Sequence, residues 1–135
     1  NVRYYLNDNF LRFWFRFIYS NQAAVNGQNL DFLRQKVEAD YNTYAGHNLE
    51  KLVRQQLIES KLFSQVHHYW ERKNQSEIDV IAVNELTKNA IIGEVKMQKK
   101  NISVELLRKK ATKLTTHLGG YNINLRGYSL EDIDF

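Results

Sequence analysis

Two short apolar runs flanking a polar stretch limit what this chain can fold into more than any other feature. They are residues 78–83, Ile-Asp-Val-Ile-Ala-Val, and residues 90–95, Ala-Ile-Ile-Gly-Glu-Val. Runs of this length, rich in β-branched residues, read as strands, and the intervening Asn-Glu-Leu-Thr-Lys-Asn suits a hairpin turn. Two adjacent antiparallel strands are predicted. Each carries an acid among apolar neighbours, Asp79 in the first and Glu94 in the second, with Lys96 two residues further on. Side chains alternate faces along a strand, so Glu94 and Lys96 share one. If the register brings Asp79 opposite them, two carboxylates and an amine converge, and repulsion between the acids makes that costly without a cation. A divalent metal would supply it. The other reading is a cross-strand ion-pair set on a solvated face, with Asp79 marking a sheet edge. The motif alone leaves both open.

The 135 residues suffice for one domain with a true core, and 43% hydrophobic against 25% charged residues is ordinary for a soluble globular protein. The absence of cysteine excludes disulfides, thiolate zinc sites and cysteine nucleophiles, and fits a reducing cytoplasm. No stretch approaches the roughly 20 apolar residues of a membrane span, and no cleavable signal opens the chain. The sequence starts without methionine, which points to a piece of a longer protein. Residues 1–50 hold five basic and five acidic side chains, so the net charge of +4 lies in the remainder.

From Asn7-Asp8, a helix N-cap, the run to Tyr19 places Phe10, Trp14, Phe17 and Ile18 at helical spacing, with Phe13 and Phe15 adding apolar surface outside that stripe. Packing explains such a stripe better than stacking on nucleic-acid bases. Residues 21–29 read as a loop and 30–41 as a second helix. After a short break a third helix runs over 45–62, with Leu49, Leu52, Val53 and Leu57 facing inward. Glu50 borders that stripe; by position alone it reads as an i,i+4 surface partner of Arg54. A first strand over 63–72 alternates Val66, His68, Trp70 and Arg72 against His67, Tyr69 and Glu71. The histidines have no shared metal-ligand spacing and read as packing or surface residues. Ser103 caps a fourth helix reaching Leu118, with Val104, Leu107, Ala111, Leu114 and Leu118 as its core stripe, and 121–130 gives a last strand. Between Lys96 and Lys113 seven basic residues face one acid, Glu105. This run is a phosphate-facing patch or simply a solvated helix face.

Asp79 followed by Glu94-Val95-Lys96 resembles the signature of the PD-(D/E)xK phosphodiesterase superfamily. A second resemblance is closer. The string from Tyr4 to Tyr19, then Gly46-His47-Asn48-Leu49-Glu50, Glu77-Ile78-Asp79 and Gly93-Glu94-Val95-Lys96, is similar to the carboxy-terminal domain that follows the ATPase module in archaeal and bacterial AAA-type ATPases. It implies an α/β fold with a restriction-endonuclease-like core, α-β-β-β-α-β around a mixed central sheet, over 45–135. The two additional N-terminal helices, within 1–44, would form an extension packing on that core. It further implies Mg2+ or Mn2+ held by Asp79, Glu94, the Val95 carbonyl and Glu50, with Glu50, Asp79, Glu94 and Lys96 as the catalytic set. Lys99, Lys100, Arg108, Lys109 and Lys113 would bind nucleic acid, DNA first and RNA second. Ile78 stands where the superfamily has proline, Leu49 where the ATPase-linked family has phenylalanine, and Met97 where an aromatic is common. The implied function is a metal-dependent DNA nuclease domain of a cytoplasmic ATPase whose N-terminal module lies outside this sequence. The alternative is an inactive nuclease-like domain that binds nucleic acid or a partner protein and regulates that ATPase.

Overall fold

The two apolar runs become the central strands of a mixed sheet. The computed structural model describes residues 2, 4, 6–71 and 76–133. Among these, β1 (Gln65–Trp70), β2 (Glu77–Asn84), β3 (Asn89–Val95) and β4 (Asn122–Tyr128) lie side by side in chain order. β1 with β2 and β2 with β3 are antiparallel, whereas β3 with β4 is parallel. A parallel return needs a crossover, and helix α4 (Val104–Thr115) supplies it between β3 and β4. The hairpin closes on the Asn84–Asn89 pair, where Asn84 Oδ1 accepts from the Leu86 and Thr87 amides, both at 3.0 Å. Since β2 and β3 are interior strands, Asp79 does not mark a sheet edge, which removes that part of the alternative reading.

Helices flank the sheet, and alternation along the strands divides its core in two. Ile81, Val83, Ala90 and Ile92 pack with Leu107, Ala111 and Leu114 of α4. On the other side Val80, Val95 and Tyr128 meet Leu49 and Val53. Those two residues belong to α3 (Leu30–Glu59), a single helix of 30 residues. The second and third helices expected from the sequence are therefore one, and no break occurs over residues 42–46. Without proline the backbone ladder has no obligatory stop. Tyr44, Leu49 and Val53 are all buried, and that burial outweighs the weak helix propensity of Asn42, Thr43 and Gly46.

The chain divides into two compact units, Asn1–Tyr44 and Ala45–Phe135. In the first, Asp8 caps α1 (Asn9–Phe13), which runs into a π-helical turn over Trp14–Ile18 and a 3-10 turn over Tyr19–Asn21. The expected loop contains α2 (Gln22–Asn26). The π turn inserts a residue per turn and so shifts the apolar stripe. Phe17 is buried beside Phe13 and Tyr44, with ring centroids 4.9 and 5.6 Å away, while Phe10, expected in the stripe, is 71% exposed. In the second unit α4 caps on Ser103 as predicted, but Val104 lies exposed outside its core stripe. The first strand is shorter than expected, and Arg72 lies outside the described residues. No helix among the described residues is long and apolar enough to cross a membrane.

Candidate functional site

Asp79 sits where the sheet opens. Between the pairs His67–Ile81 and Tyr69–Ile78, β2 has two residues, Asp79 and Val80, against the single His68 of β1. This bulge explains why Ile78 and Ile81, three apart, share a cluster. On the other side the β2–β3 ladder stops at Val80–Gly93. Beyond that pair the Val95 amide has lost its partner strand, and the Asp79 carboxylate replaces it, accepting from Val95 N at 2.8 Å. The same register carried one residue further sets Asp79 opposite Glu94. Gly93 keeps this packing tight: a Cβ there would lie 3.0 Å from the Tyr128 ring and 3.2 Å from Val80 Cβ, so one of them would have to move.

Glu94 is 6% exposed whereas the Lys96 side chain is 46% exposed, so the acid of that pair lies beneath the surface and its amine at it. One carboxylate oxygen, Oε2, accepts from the Ser103 amide just before α4 at 3.3 Å. The other, Oε1, lies 3.9 Å from Lys96 Nζ and 3.6 Å from Lys110 Nζ. Lys96 is fixed at its backbone, where its amide donates to the Tyr128 carbonyl at 3.0 Å.

Glu50 approaches from α3. Its carboxylate lies 3.6 Å from His47 Nδ1 and 4.0 Å from Arg54 Nη1. Glu50 and Arg54 are 22% and 18% exposed at their side chains, so they are not the surface pair that position alone indicated. Arg54 instead donates to the Asp79 carbonyl at 2.7 Å, tying α3 to the bulge. Burial pushes the Asp79 carboxyl above its ordinary range, and the charge of Glu94 adds to this against the Val95 amide, Lys96 and Lys110. Glu50 is raised as well, first by burial and then by the charge of Asp79, with His47 and Arg54 opposing. Each of these acids thus holds its proton more tightly than usual, the condition expected of carboxylates crowded together out of water.

Four residues singled out in the sequence, Glu50, Asp79, Glu94 and Lys96, are therefore linked by contact or by field, and Val95 enters through its amide. The basic patch is less uniform. Lys99 and Lys100 stand exposed on a 3-10 turn, and Arg108 and Lys109 are exposed on α4. Lys113 pairs with Glu71, Nζ lying 3.1 Å from Oε2. Lys110, Arg54 and Ser103 take larger parts than the sequence reading gave them. The signal for Lys110 was its phase, three residues after Leu107 and four before Leu114, both buried.

Among the described residues no group of three or more His, Asp or Glu side chains forms a metal-ligand cluster. The hard oxygen donors at this spot are the carboxylates of Asp79 and Glu94. Two carboxylates are a usual protein share for Mg2+, which keeps water and substrate phosphate as its remaining ligands. That donor set, with Asp79 raised by burial and by the charge of Glu94, fits a divalent cation.

No solved structure matches this chain. An uncharacterized protein of Methanocaldococcus jannaschii is 40% identical over 101 residues, which make up 70% of this chain and 22% of the relative. The chain thus spans about a fifth of the length of the curated relative it matches. The profile of DUF234, described as archaeal and bacterial proteins of unknown function, matches residues 14–114, and the chain belongs to that family.

Proposed function

We propose that this chain is a metal-dependent phosphodiesterase domain acting on DNA, with a restriction-endonuclease-like arrangement of the sheet and its flanking helices. The observation that carries the reading is the Asp79 carboxylate standing in for a strand at the Val95 amide, at the point where the β2–β3 ladder ends. Packing alone could end that hairpin with an apolar residue; an acid crowded by Glu94 and Glu50 is costly unless cations balance it, and a divalent ion at the pair of carboxylates is the one that gives the crowding a use. In this reading Asp79, Glu94 and the Val95 carbonyl hold Mg2+ or Mn2+, and Glu50 orders the surrounding water or a second ion. The ion supplies a Lewis acid that polarises the phosphodiester and makes water a better nucleophile near neutral pH. Lys96, 46% exposed at its side chain, donates to the phosphate oxygens as their charge grows, and orients the attacking water. Water adds to phosphorus, the bond to one ester oxygen breaks, and the products are a phosphomonoester and an alcohol.

The sequence similarity of residues 4–19 to the start of ATPase-linked domains supports a place beside an AAA-type ATPase module. One observation favours a second reading, a non-cleaving domain that binds DNA or a partner and regulates that ATPase. Arg54, Lys96 and Lys110 already set three cations against the three acids. A plasmid assay separates the two. Supercoiled DNA incubated with the protein and Mg2+ or Mn2+ should be nicked or linearised, and Lys96→Ala should slow this at least about 100-fold, the usual scale for losing one electrostatic contact in a transition state. No cleavage by the wild type leaves the regulatory reading standing.

A further inference from the structure

We propose that Lys110 and Lys96 together clamp one phosphate group of bound DNA, so that α4 as well as β3 delivers a substrate-contacting amine. This rests on the phosphodiesterase reading. Both ammonium groups lie within 4 Å of the same atom, Glu94 Oε1, at 3.6 and 3.9 Å. Neither distance is that of a hydrogen bond, so the carboxylate gathers the two amines without consuming their donors. Their side chains are 39% and 46% exposed, whereas that of Glu94 is 7% exposed, so the amines stand between the buried acid and solvent. The two ammonium groups balance Glu94 and Asp79, whose carboxyl feels both amines, and the divalent ion of the proposed function then leaves the spot net positive. A tetrahedral phosphate accepting at about 2.8 Å from each amine bridges two such groups. The other basic residues of the helix are placed differently. Arg108 and Lys109 are exposed, and Lys113 is engaged by Glu71. Lys110 lies between the buried Leu107 and Leu114 in helical phase, which turns it toward the sheet.

The test is the salt dependence of binding to a short duplex oligonucleotide in Ca2+, for wild type, Lys110→Met, Lys110→Arg and the control Lys88→Met. Lys88 lies in the β2–β3 turn, over the Tyr121 ring. Losing a phosphate contact should lower the slope of log affinity against log salt by about 1 and weaken binding about tenfold at low salt. Lys110→Met should show this, Lys110→Arg should restore the slope, and Lys88→Met should match wild type. Because Lys110→Met also removes a counter-charge from buried Glu94, amine acetylation of the wild type with and without the oligonucleotide gives a second readout: Lys96 and Lys110 should both be protected. An unchanged slope, equal acetylation of Lys110 in both states, or no salt-dependent binding by the wild type overturns the clamp. Mn2+ titration without DNA keeps the two claims apart. Lys110→Met should bind Mn2+ at least as tightly as wild type, since a positive charge has left the site. If the wild type takes up no Mn2+ while the slope still falls in Lys110→Met, the metal reading fails and the clamp stands.

Discussion

Asp79 uses its side chain and its backbone on different neighbours, the carboxylate on the Val95 amide and the carbonyl on Arg54. These roles separate by substitution. In the absence of divalent cation, Asp79→Asn keeps an acceptor for Val95 and removes a charge that burial and Glu94 disfavour. The folded protein binds the Asp79 proton more tightly than the unfolded chain does. Wild type therefore loses stability as pH rises through the raised folded-state pKa, and the advantage of asparagine appears over that interval and vanishes below the ordinary carboxylate range. Asp79→Ala, by contrast, leaves the amide without its acceptor and should cost about 1–3 kcal/mol. Urea midpoints in EDTA at about pH 3 and about pH 8 check both; an Asn variant less stable than wild type at the higher pH contradicts the reading. Asp79 and Glu94 were legible because an acid inside an apolar strand breaks the pattern around it, and Lys96 because it shares a face with Glu94; Glu50 came only through the family resemblance, since by position it reads as a surface partner of Arg54. Lys110 was legible only in principle, since in a run of like charges nothing but helical phase distinguishes the one amine that turns inward.

At the level of elements, periodicity found the strands and α4, because each alternates against a core face. The bulge in β2 could not be read, since it exists only in the pairing of two strands: a residue is extra relative to β1, not to its own sequence. The continuity of α3 was hidden by local composition, Asn42, Thr43 and Gly46 reading as a break that burial on either side overrides. Gly46 therefore sits in a helix interior, and a Cβ added there meets nothing within 4 Å. Gly46→Ala should stabilise the protein by about 1 kcal/mol, read as a higher denaturant midpoint with an unchanged slope. A lower midpoint would mean that the helix is interrupted there after all. On α4, Leu107→Ala should cost about 2–5 kcal/mol, whereas Leu106→Ala, one residue away and 55% exposed, should stay within about 0.5 kcal/mol. Equal effects would rotate the helix away from the phase that brings Lys110 to Glu94.

For the whole molecule, the four strands and the two core clusters found among the described residues lie within Ala45–Phe135. A polypeptide of residues 45–135 should therefore unfold cooperatively on its own and keep the circular dichroism of a mixed helix and sheet; a gradual, non-cooperative melt would show that the sheet needs residues 1–44. The same unit contains Glu50, Asp79, Glu94, Lys96 and Lys110, and thus the whole of the proposed site. In the proposed function a cation gives these groups a common purpose, and its uptake is the central claim. Calorimetric titration of the full chain with Mg2+ and Mn2+, set against Asp79→Ala, tests it most directly. Saturable binding by the wild type that disappears in the variant is the predicted result, and absence of binding in both, or equal binding in both, contradicts it.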